Sequence, residues 1–399
     1  MKKILIFSHA LELGGAERAL LGLLEAIDTT KYQVDLFLMR HDGELMRYIP
    51  DKINLLPEIP EYACLAVPIA QVLKKGKIRI AYGRYRGKKA AKKRLAALSV
   101  SGENDVALEY SHKYTLKYMP QIGDTEYDLA ISFLTPHYFV TEKVRAKKKL
   151  AWIHTDYATV TVDADSQTGM WAPYDHIVSI SETVTESFRK AFPSLSGKLV
   201  LIENIMPTAY LDELIGAFPV GSEMPDDGTV KLLSIGRFSN AKNFDSVPDI
   251  CRRLLAKGLN VKWYLIGYGG DEALIREKIA EAGMEERVVI LGKKENPYPY
   301  IKACDLYVQP SRYEGKCVAV REAQMLHKPV VITNYATSSS QLADGHDGVI
   351  VPTDNEGCAE GLASVLRDTA LRERLIENTK KHDYSNADEI NKLYQLAEG

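Results

Sequence analysis

Cysteine is scarce in this chain, with five among 399 residues at positions 64, 251, 304, 317 and 358 and no Cys-x-x-Cys pair. So few thiols, odd in number and scattered, support neither a disulfide framework nor a zinc ribbon, and a reducing compartment is the simpler expectation. Long apolar runs are missing too. No stretch approaches the roughly 20 apolar residues of a membrane span. The opening Lys2-Lys3 leads only into Ile4-Leu5-Ile6-Phe7 before Ser8 and His9 end the run, which is shorter than the apolar core of a secretory signal. The expectation is a cytoplasmic protein, free or resting on the inner face of a membrane. Net charge is small, 51 basic against 53 acidic residues, or −2, so any basic partner surface must be local. Neither a repeat of 20 to 50 residues nor a low-complexity tract is present, which excludes solenoids and propellers. What is there is globular: 46% hydrophobic and 26% charged residues, far from compositions that stay disordered. At roughly 100 to 200 residues per domain, the length predicts two or three domains.

Short apolar runs alternate with longer helical patterns, the signature of strands feeding crossover helices around parallel sheets. Lys3 to Phe7, Val34 to Met39, Leu129 to Phe133, Leu150 to Ile153, Ile177 to Ile180 and Leu199 to Ile202 read as strands of a first α/β domain, residues 1–205, with a helix from Ala16 to Ile27. Pro207, Pro219, Gly221, Pro225 and Gly228 crowd residues 206–228, which read as a linker. The alternation restarts at Lys231 to Ile235 and continues through Val261 to Ile266, Val288 to Leu291, Leu306 to Val308, Val330 to Thr333 and Val349 to Val351. Helices are expected at Phe244 to Lys257 and Asp271 to Ala282. Residues 229–380 thus form a second doubly wound domain, with ligands expected at the carboxyl ends of its strands. A helix in 381–399 is expected to return to the first domain.

Three segments could carry chemistry. After the first strand, Gly14-Gly15 opens a helix, where glycine lets the backbone approach an anion and free N–H groups face it. A tight connection would use the same residues, and the segment is not the Gly-x-Gly-x-x-Gly dinucleotide fingerprint. After the first strand of the second domain, Gly236-Arg237-Phe238-Ser239-Asn240-Ala241-Lys242 sends two cations from the carboxyl edge, able to neutralise a departing diphosphate without a metal. The third segment runs from Pro310 to Ala323 and spaces Glu314 and Glu322 eight positions apart. If a helix begins near Lys316, Glu314 lies in the loop before it and Glu322 about two turns in, about 9 Å along the axis from the helix start. That separation suits a ligand with two polyol ends, with the N–H groups of Lys316, Cys317 and Val318 holding phosphates between them.

The Gly14-Gly15-Ala16-Glu17 turn, the Gly236-Arg237 to Lys242 segment, Gly267-Tyr268-Gly269-Gly270 and the Glu314 to Glu322 spacing stand in one order over nearly the whole chain, and together they resemble glycosyltransferase family 4. The resemblance implies a GT-B fold, in which two Rossmann-like domains face a central cleft, and metal-independent transfer from a nucleotide sugar with retention at the anomeric carbon. It also implies that Glu314 contacts the donor sugar, Glu322 the ribose hydroxyls, Arg237 and Lys242 the diphosphate, and Gly15 the diphosphate from the opposite domain. The histidine that often lies beside the sugar in this family is best matched by His154, in Trp152-Ile153-His154-Thr155.

Retention by double displacement needs a carboxylate nucleophile beside the anomeric carbon, and the chain offers no assured one. Same-face transfer is therefore expected, with the leaving phosphate held by Arg237 and Lys242 and taking the acceptor proton. A rival reading rests on Asp163-Ala164-Asp165, since paired carboxylates after a strand can hold a divalent cation beside a diphosphate. The remaining motifs do not fit that single-domain plan, so no metal or cofactor is expected.

Eleven cations and no acid lie between Lys74 and Arg94, among them Lys74, Lys75, Arg84, Arg86, Lys88, Lys89, Lys92 and Lys93, with Ile78, Ile80, Tyr82 and Tyr85 interleaved. A solvated helix would carry such a run, but its density favours an anionic membrane surface. No nucleic-acid recognition motif accompanies it. Lys143, Arg145, Lys147, Lys148 and Lys149 could extend the patch. The expected activity is transfer of a hexose or N-acetylhexosamine, with uridine diphosphate as carrier, to a cell-envelope glycan or lipid-linked acceptor. Two alternatives are a non-hydrolysing nucleotide-sugar epimerase and a non-catalytic subunit of the same fold that binds a membrane or partner.

Overall fold

In a computed structural model of the chain, residues 1–98, 105–209 and 211–398 are described. The chain divides into two compact units, Met1–Ile205 with Ala387–Gly399, and Met206–Asn386.

The first unit is built on seven parallel strands: β1 (Lys2–Ser8), β2 (Tyr32–Leu38), β3 (Asn54–Leu55), β4 (Tyr127–Ser132), β5 (Ala146–Ile153), β6 (His176–Ser179) and β7 (Leu199–Leu201). They lie in the order β3-β2-β1-β4-β5-β6-β7. Helices cover both faces of such a sheet, so its central strands are apolar without alternation, as Ile4 to Phe7 and Leu129 to Ile131 are, all buried. The two-residue β3 carries too few apolar residues to be read as a strand in advance; it is placed by pairing with β2 through Asp35 and Leu36. The helix Ile390–Glu398 packs in this unit: Tyr394 stacks on Tyr32 with ring centroids 4.9 Å apart, and its hydroxyl accepts the Asp28 N–H at 2.7 Å.

The second unit has six parallel strands: β8 (Val230–Ile235), β9 (Val261–Ile266), β10 (Val288–Gly292), β11 (Leu306–Gln309), β12 (Val330–Thr333) and β13 (Val349–Val351). Their order is β10-β9-β8-β11-β12-β13. Counted from β8 this is 3-2-1-4-5-6, the doubly wound arrangement, whose order reverses between β8 and β11. The helix expected from Phe244 is shorter: a tight turn at Asn240–Lys242 precedes it, and it runs over Val247–Ala256. Residues 206–228 do not stand as a free connection. They carry the helix Leu211–Gly216 and bury Val220 and Met224 in the second core.

Between β3 and β4 the chain inserts a hairpin of two helices, Ile78–Leu98 and Val106–Thr115. Their contact depends on Gly87, where a Cβ would stand 2.5 Å from the Tyr110 carbonyl oxygen. Most of the basic run lies here, and it is not uniformly solvated. Ile80, Ala81, Gly83, Gly87 and Ala91 form a buried stripe. Arg84, read as a surface cation, turns inward instead: its guanidinium donates to the Cys64 carbonyl at 2.7 Å and to that of Val67. Helical period accounts for this, since position 84 falls on the stripe. Lys74, Lys75, Arg86, Lys88, Lys89, Lys92 and Lys93 are exposed. The second basic cluster is dispersed along β5: Lys147 pairs with Asp128 at 2.7 Å, while Lys148 and Lys149 donate to the Leu396 and Thr141 carbonyls. Asp163 and Asp165 are drawn to Arg94, at 2.8 and 3.2 Å, and Asp163 caps the helix Ala164–Trp171. The pair weighed as a metal site is thus a cap and an ion pair.

Candidate functional site

The order reversal between β8 and β11 leaves a crevice at their carboxyl ends, and the loops leaving these two strands meet there. Arg312, after β11, clamps the β8 loop: its guanidinium donates to Asp245 at 2.8 and 2.9 Å and to the Asn240 carbonyl at 2.8 Å. Asn243, in the left-handed region at φ 59°, gives its amide to the Pro310 carbonyl at 2.9 Å. The β9 loop closes over the same place. Gly267 sits at φ +152°, and a Cβ there would lie 1.9 Å from the Gly236 carbonyl oxygen. Gly267→Ala is therefore expected to destabilise the second unit by about 2 kcal/mol or more, read as a lower urea midpoint.

This stitching brings Lys242 and Glu314 together, with Nζ 2.5 Å from Oε1. The lysine side chain is 17% exposed and the glutamate 10%. Burial works against the Lys242 charge, but the Glu314 carboxylate outweighs it and holds the ammonium above its ordinary pKa. Ser311 Oγ donates to the same Glu314 oxygen at 2.6 Å, and Thr337 Oγ1 donates to the Glu314 carbonyl at 2.9 Å. Cys317 Sγ lies 3.8 Å from Lys242 Nζ. Burial pushes this thiol up to about 11, so at neutral pH it is an uncharged neighbour. Arg237 is exposed at the same edge and forms no ion pair among the described residues.

The following helix starts at Val318 and ends at Met325, two residues later than the spacing predicts. Glu322 therefore lies little more than one turn in. It is 2% exposed and accepts the Tyr298 hydroxyl at 2.9 Å. Of the three N–H groups expected to face phosphate, that of Cys317 is already given to Gln341 Oε1 at 2.7 Å. Gln341 itself is 2% exposed and comes from the short helix Ser338–Gln341.

In the first unit the order reverses between β1 and β4, and histidines gather at that carboxyl edge. His9 follows β1, His137 follows β4 and His154 follows β5; His112 reaches in from the inserted hairpin, its ring 5.7 Å from that of His9. His154 packs 4.5 Å from the Phe133 ring. His137 bonds Ser132 Oγ at 2.8 Å and Thr135 Oγ1 at 3.1 Å through its two nitrogens. Burial lowers all four: His9 to about 4, helped by Arg40, His154 to about 3, and His112 and His137 well below the ordinary value. Gly14 and Gly15 open the helix Gly15–Ala26 beside them in sequence, with Gly15 exposed.

Sequence reasoning singled out Arg237, Lys242, Glu314 and Glu322, and the fold joins Lys242 to Glu314. It missed Ser311, Tyr298, Thr337, Gln341 and the Arg312–Asp245 clamp, as well as His9, His112 and His137. Only His9 carried an advance signal, as a polar residue ending a buried strand.

Residues 222–382 match the family model described as glycosyl transferases group 1. The match covers most of the second unit, so that unit resembles the glycosyl transferases of group 1. The group 1 match contains Arg237, Lys242, Glu314, Glu322 and Gln341. Among curated proteins, the N-acetylgalactosamine-N,N'-diacetylbacillosaminyl-diphospho-undecaprenol 4-alpha-N-acetylgalactosaminyltransferase of Campylobacter jejuni is 29% identical over 158 residues, 38% of this chain and 42% of the relative. The lipopolysaccharide core biosynthesis glycosyltransferase LpsE of Rhizobium meliloti is 28% identical over 156 residues, 39% and 44% of the two chains. The matched stretch thus spans less than half the length of these relatives. Among solved structures, Anabaena HepE in complex with UDP and glucose aligns over 100% of this chain and 99% of its own, with 17% identity and a TM-score of 0.66. Staphylococcus aureus TarM, in complex with UDP among other ligands, aligns over 100% of both chains with 12% identity and a TM-score of 0.68. These likenesses establish the GT-B fold of two doubly wound domains.

Proposed function

We propose that this chain transfers a hexose or N-acetylhexosamine from a nucleoside diphosphate sugar, with uridine diphosphate as carrier, to a cell-envelope glycan or lipid-linked acceptor. The observation that carries the reading is the Lys242–Glu314 pair at the switch point of the second sheet, inside the segment matched by the group 1 family. The solved neighbours crystallised with UDP and the relatives named for lipopolysaccharide and diphospho-undecaprenol substrates support the substrate classes.

Bond cleavage places negative charge on the leaving diphosphate, and fixed cations where that charge develops are worth several kcal/mol in a water-poor site. Lys242 supplies one such cation, held by Glu314, and Arg237 is free to supply another. Two neutralising side chains meet the need that a divalent ion would otherwise fill, so transfer proceeds without metal in this reading. Glu314 has one oxygen engaged by Lys242 and Ser311. Its role is to orient sugar hydroxyls, while the departing phosphate takes the acceptor proton on the same face, with retention. A glycosyl adduct trapped on a carboxylate would overturn that step. Glu322, braced by Tyr298, takes ribose hydroxyls. In the first unit, His154 is an uncharged imidazole that offers hydrogen bonds to an acceptor, and the Gly14-Gly15 turn offers backbone N–H groups. The exposed cations of the inserted hairpin hold the protein on an anionic membrane.

Nucleotide release from uridine, guanosine and adenosine diphosphate sugars, measured in EDTA, tests this. Release from one donor, abolished in Glu314→Gln and Arg237→Ala, is the expected result. Activity only when metal replaces EDTA would sink the metal-free mechanism. An epimerised donor would establish the epimerase, and nucleotide binding without turnover on any acceptor would establish the non-catalytic subunit.

A further inference from the structure

A cavity of about 450 Å³ opens on the first unit between the inserted hairpin and the helix Tyr138–Lys143. None of the four histidines lines it. The helix Tyr138–Lys143 leaves the carboxyl end of β4 and descends to the start of β5, and the cavity is lined by the last residues of that helix. Arg86, Lys113, Tyr114, Leu116, Lys117 and Lys143 line it. Glu142 is the acidic residue among its lining groups, so four cations face one carboxylate.

These cations are not consumed by partners of opposite charge: none of the four forms an ion pair among the described residues. Tyrosine faces and one hydroxyl position three of them instead. The Arg86 guanidinium lies 5.6 Å from the Tyr114 ring centroid, and Lys117 Nζ lies 4.9 Å from that of Tyr118. Lys113 Nζ donates to Ser166 Oγ at 2.7 Å. Such contacts orient a cation without neutralising it, leaving a concave, cationic surface suited to a phosphate group.

What lies beside it points to the source of that phosphate. Leu73, Ile78, Tyr82 and Tyr85 are 51%, 68%, 52% and 59% exposed, an unusual concentration of bare apolar surface. Arg86 connects the two features, since it also lies over the Tyr82 ring at 6.0 Å. A free phosphate would use the cations and have no use for the apolar row. A lipid uses both, its headgroup in the cavity and its acyl boundary against the tyrosines.

We propose that this cavity binds the phosphate headgroup of an anionic membrane lipid while Leu73, Ile78, Tyr82 and Tyr85 enter the interfacial layer. The proposal rests on the membrane part of the reading above and is independent of the transfer chemistry. Full-length protein would be sedimented with phosphatidylcholine vesicles with and without phosphatidylglycerol, comparing wild type, Leu116→Trp and Lys117→Ala/Lys143→Ala. Binding is expected only with phosphatidylglycerol. Leu116→Trp fills the cavity while every charge remains, and should weaken binding about tenfold. The paired lysine variant, at an exposed and a half-buried position with no ion pair among the described residues, should weaken it about 30-fold at about 1 kcal/mol per cation. Undiminished binding by folded Leu116→Trp, or equal losses in Lys117→Ala/Lys143→Ala and the control Lys92→Ala/Lys93→Ala, would overturn the cavity while leaving membrane attachment intact. Wild type that ignores the vesicles would overturn both. Glycerol 3-phosphate that binds wild type and is lost in Lys117→Ala/Lys143→Ala, without vesicle binding, would overturn the lipid as source.

Discussion

Lys242→Met is expected to lower turnover about a thousand-fold, the scale of losing one preorganised charge that acts on a developing anion, and to destabilise the second unit by about 3 kcal/mol. The second effect comes from Glu314. With the ammonium gone, its carboxylate is left nine-tenths buried with Ser311 as its remaining side-chain donor, and an uncompensated buried charge is more damaging than the absence of a pair. The double variant Lys242→Met/Glu314→Gln separates the two roles. A neutral amide beside a neutral thioether removes the stranded charge, so the urea midpoint should recover most of the loss while turnover stays at the single variant's level or below. Recovery of turnover with stability would mean that the pair is a structural clamp and nothing more. Equal stability in the single and double variants would mean that the Glu314 charge is solvated rather than held by Lys242.

Both members of the pair were legible, though not their ion pair, because each follows a strand that the apolar pattern locates: Lys242 belongs to the loop after β8 and Glu314 to the loop after β11. Once the alternation predicts a doubly wound sheet, those two loops must be neighbours at the switch point. Their partners were not legible for the opposite reason. Gln341 meets the Cys317 N–H from 24 positions away, and Tyr298 meets Glu322 across the same separation. Nothing in the local sequence distinguishes either from an ordinary polar residue near a turn. The basic run failed differently. Reading it as a charge count treated every cation alike, whereas the helical period sorts them. Arg84 shares the stripe of Ile80, Gly87 and Ala91 and goes inside, while Arg86 and Lys89 stay out. The late start of the helix at Val318 reflects Cys317, whose extended backbone makes it the cap rather than the first helical residue. The histidine group was hidden by topology. His112 arrives on an inserted helix, and only the folded hairpin brings its ring to His9.

That histidine group should make the protein acid-sensitive. An unfolded chain binds protons at its histidines below about pH 6.5. In the folded chain burial holds His9 to about 4 and His154 to about 3, with His112 and His137 also well below the ordinary value. Between those limits the unfolded state carries more protons, so stability rises with pH and falls as acid is added. The contribution is complete above about pH 6.5 and is lost progressively toward pH 4 for His9 and pH 3 for His154. Each histidine contributes a slope of about 1.4 kcal/mol per pH unit while only its unfolded form is protonated. Glu109 pulls the other way: burial raises its carboxyl, and protonating it in acid relieves a buried charge. One raised carboxyl against four lowered imidazoles leaves the histidines dominant. Urea midpoints measured from pH 7.5 to pH 5 should therefore fall by several kcal/mol in ΔG of unfolding. His154→Gln, which removes one of the four, should flatten the slope by about a quarter if the histidines act alike. A profile unchanged between pH 7.5 and pH 5 would mean that these rings reach water, and that His154 can take a charge in mild acid.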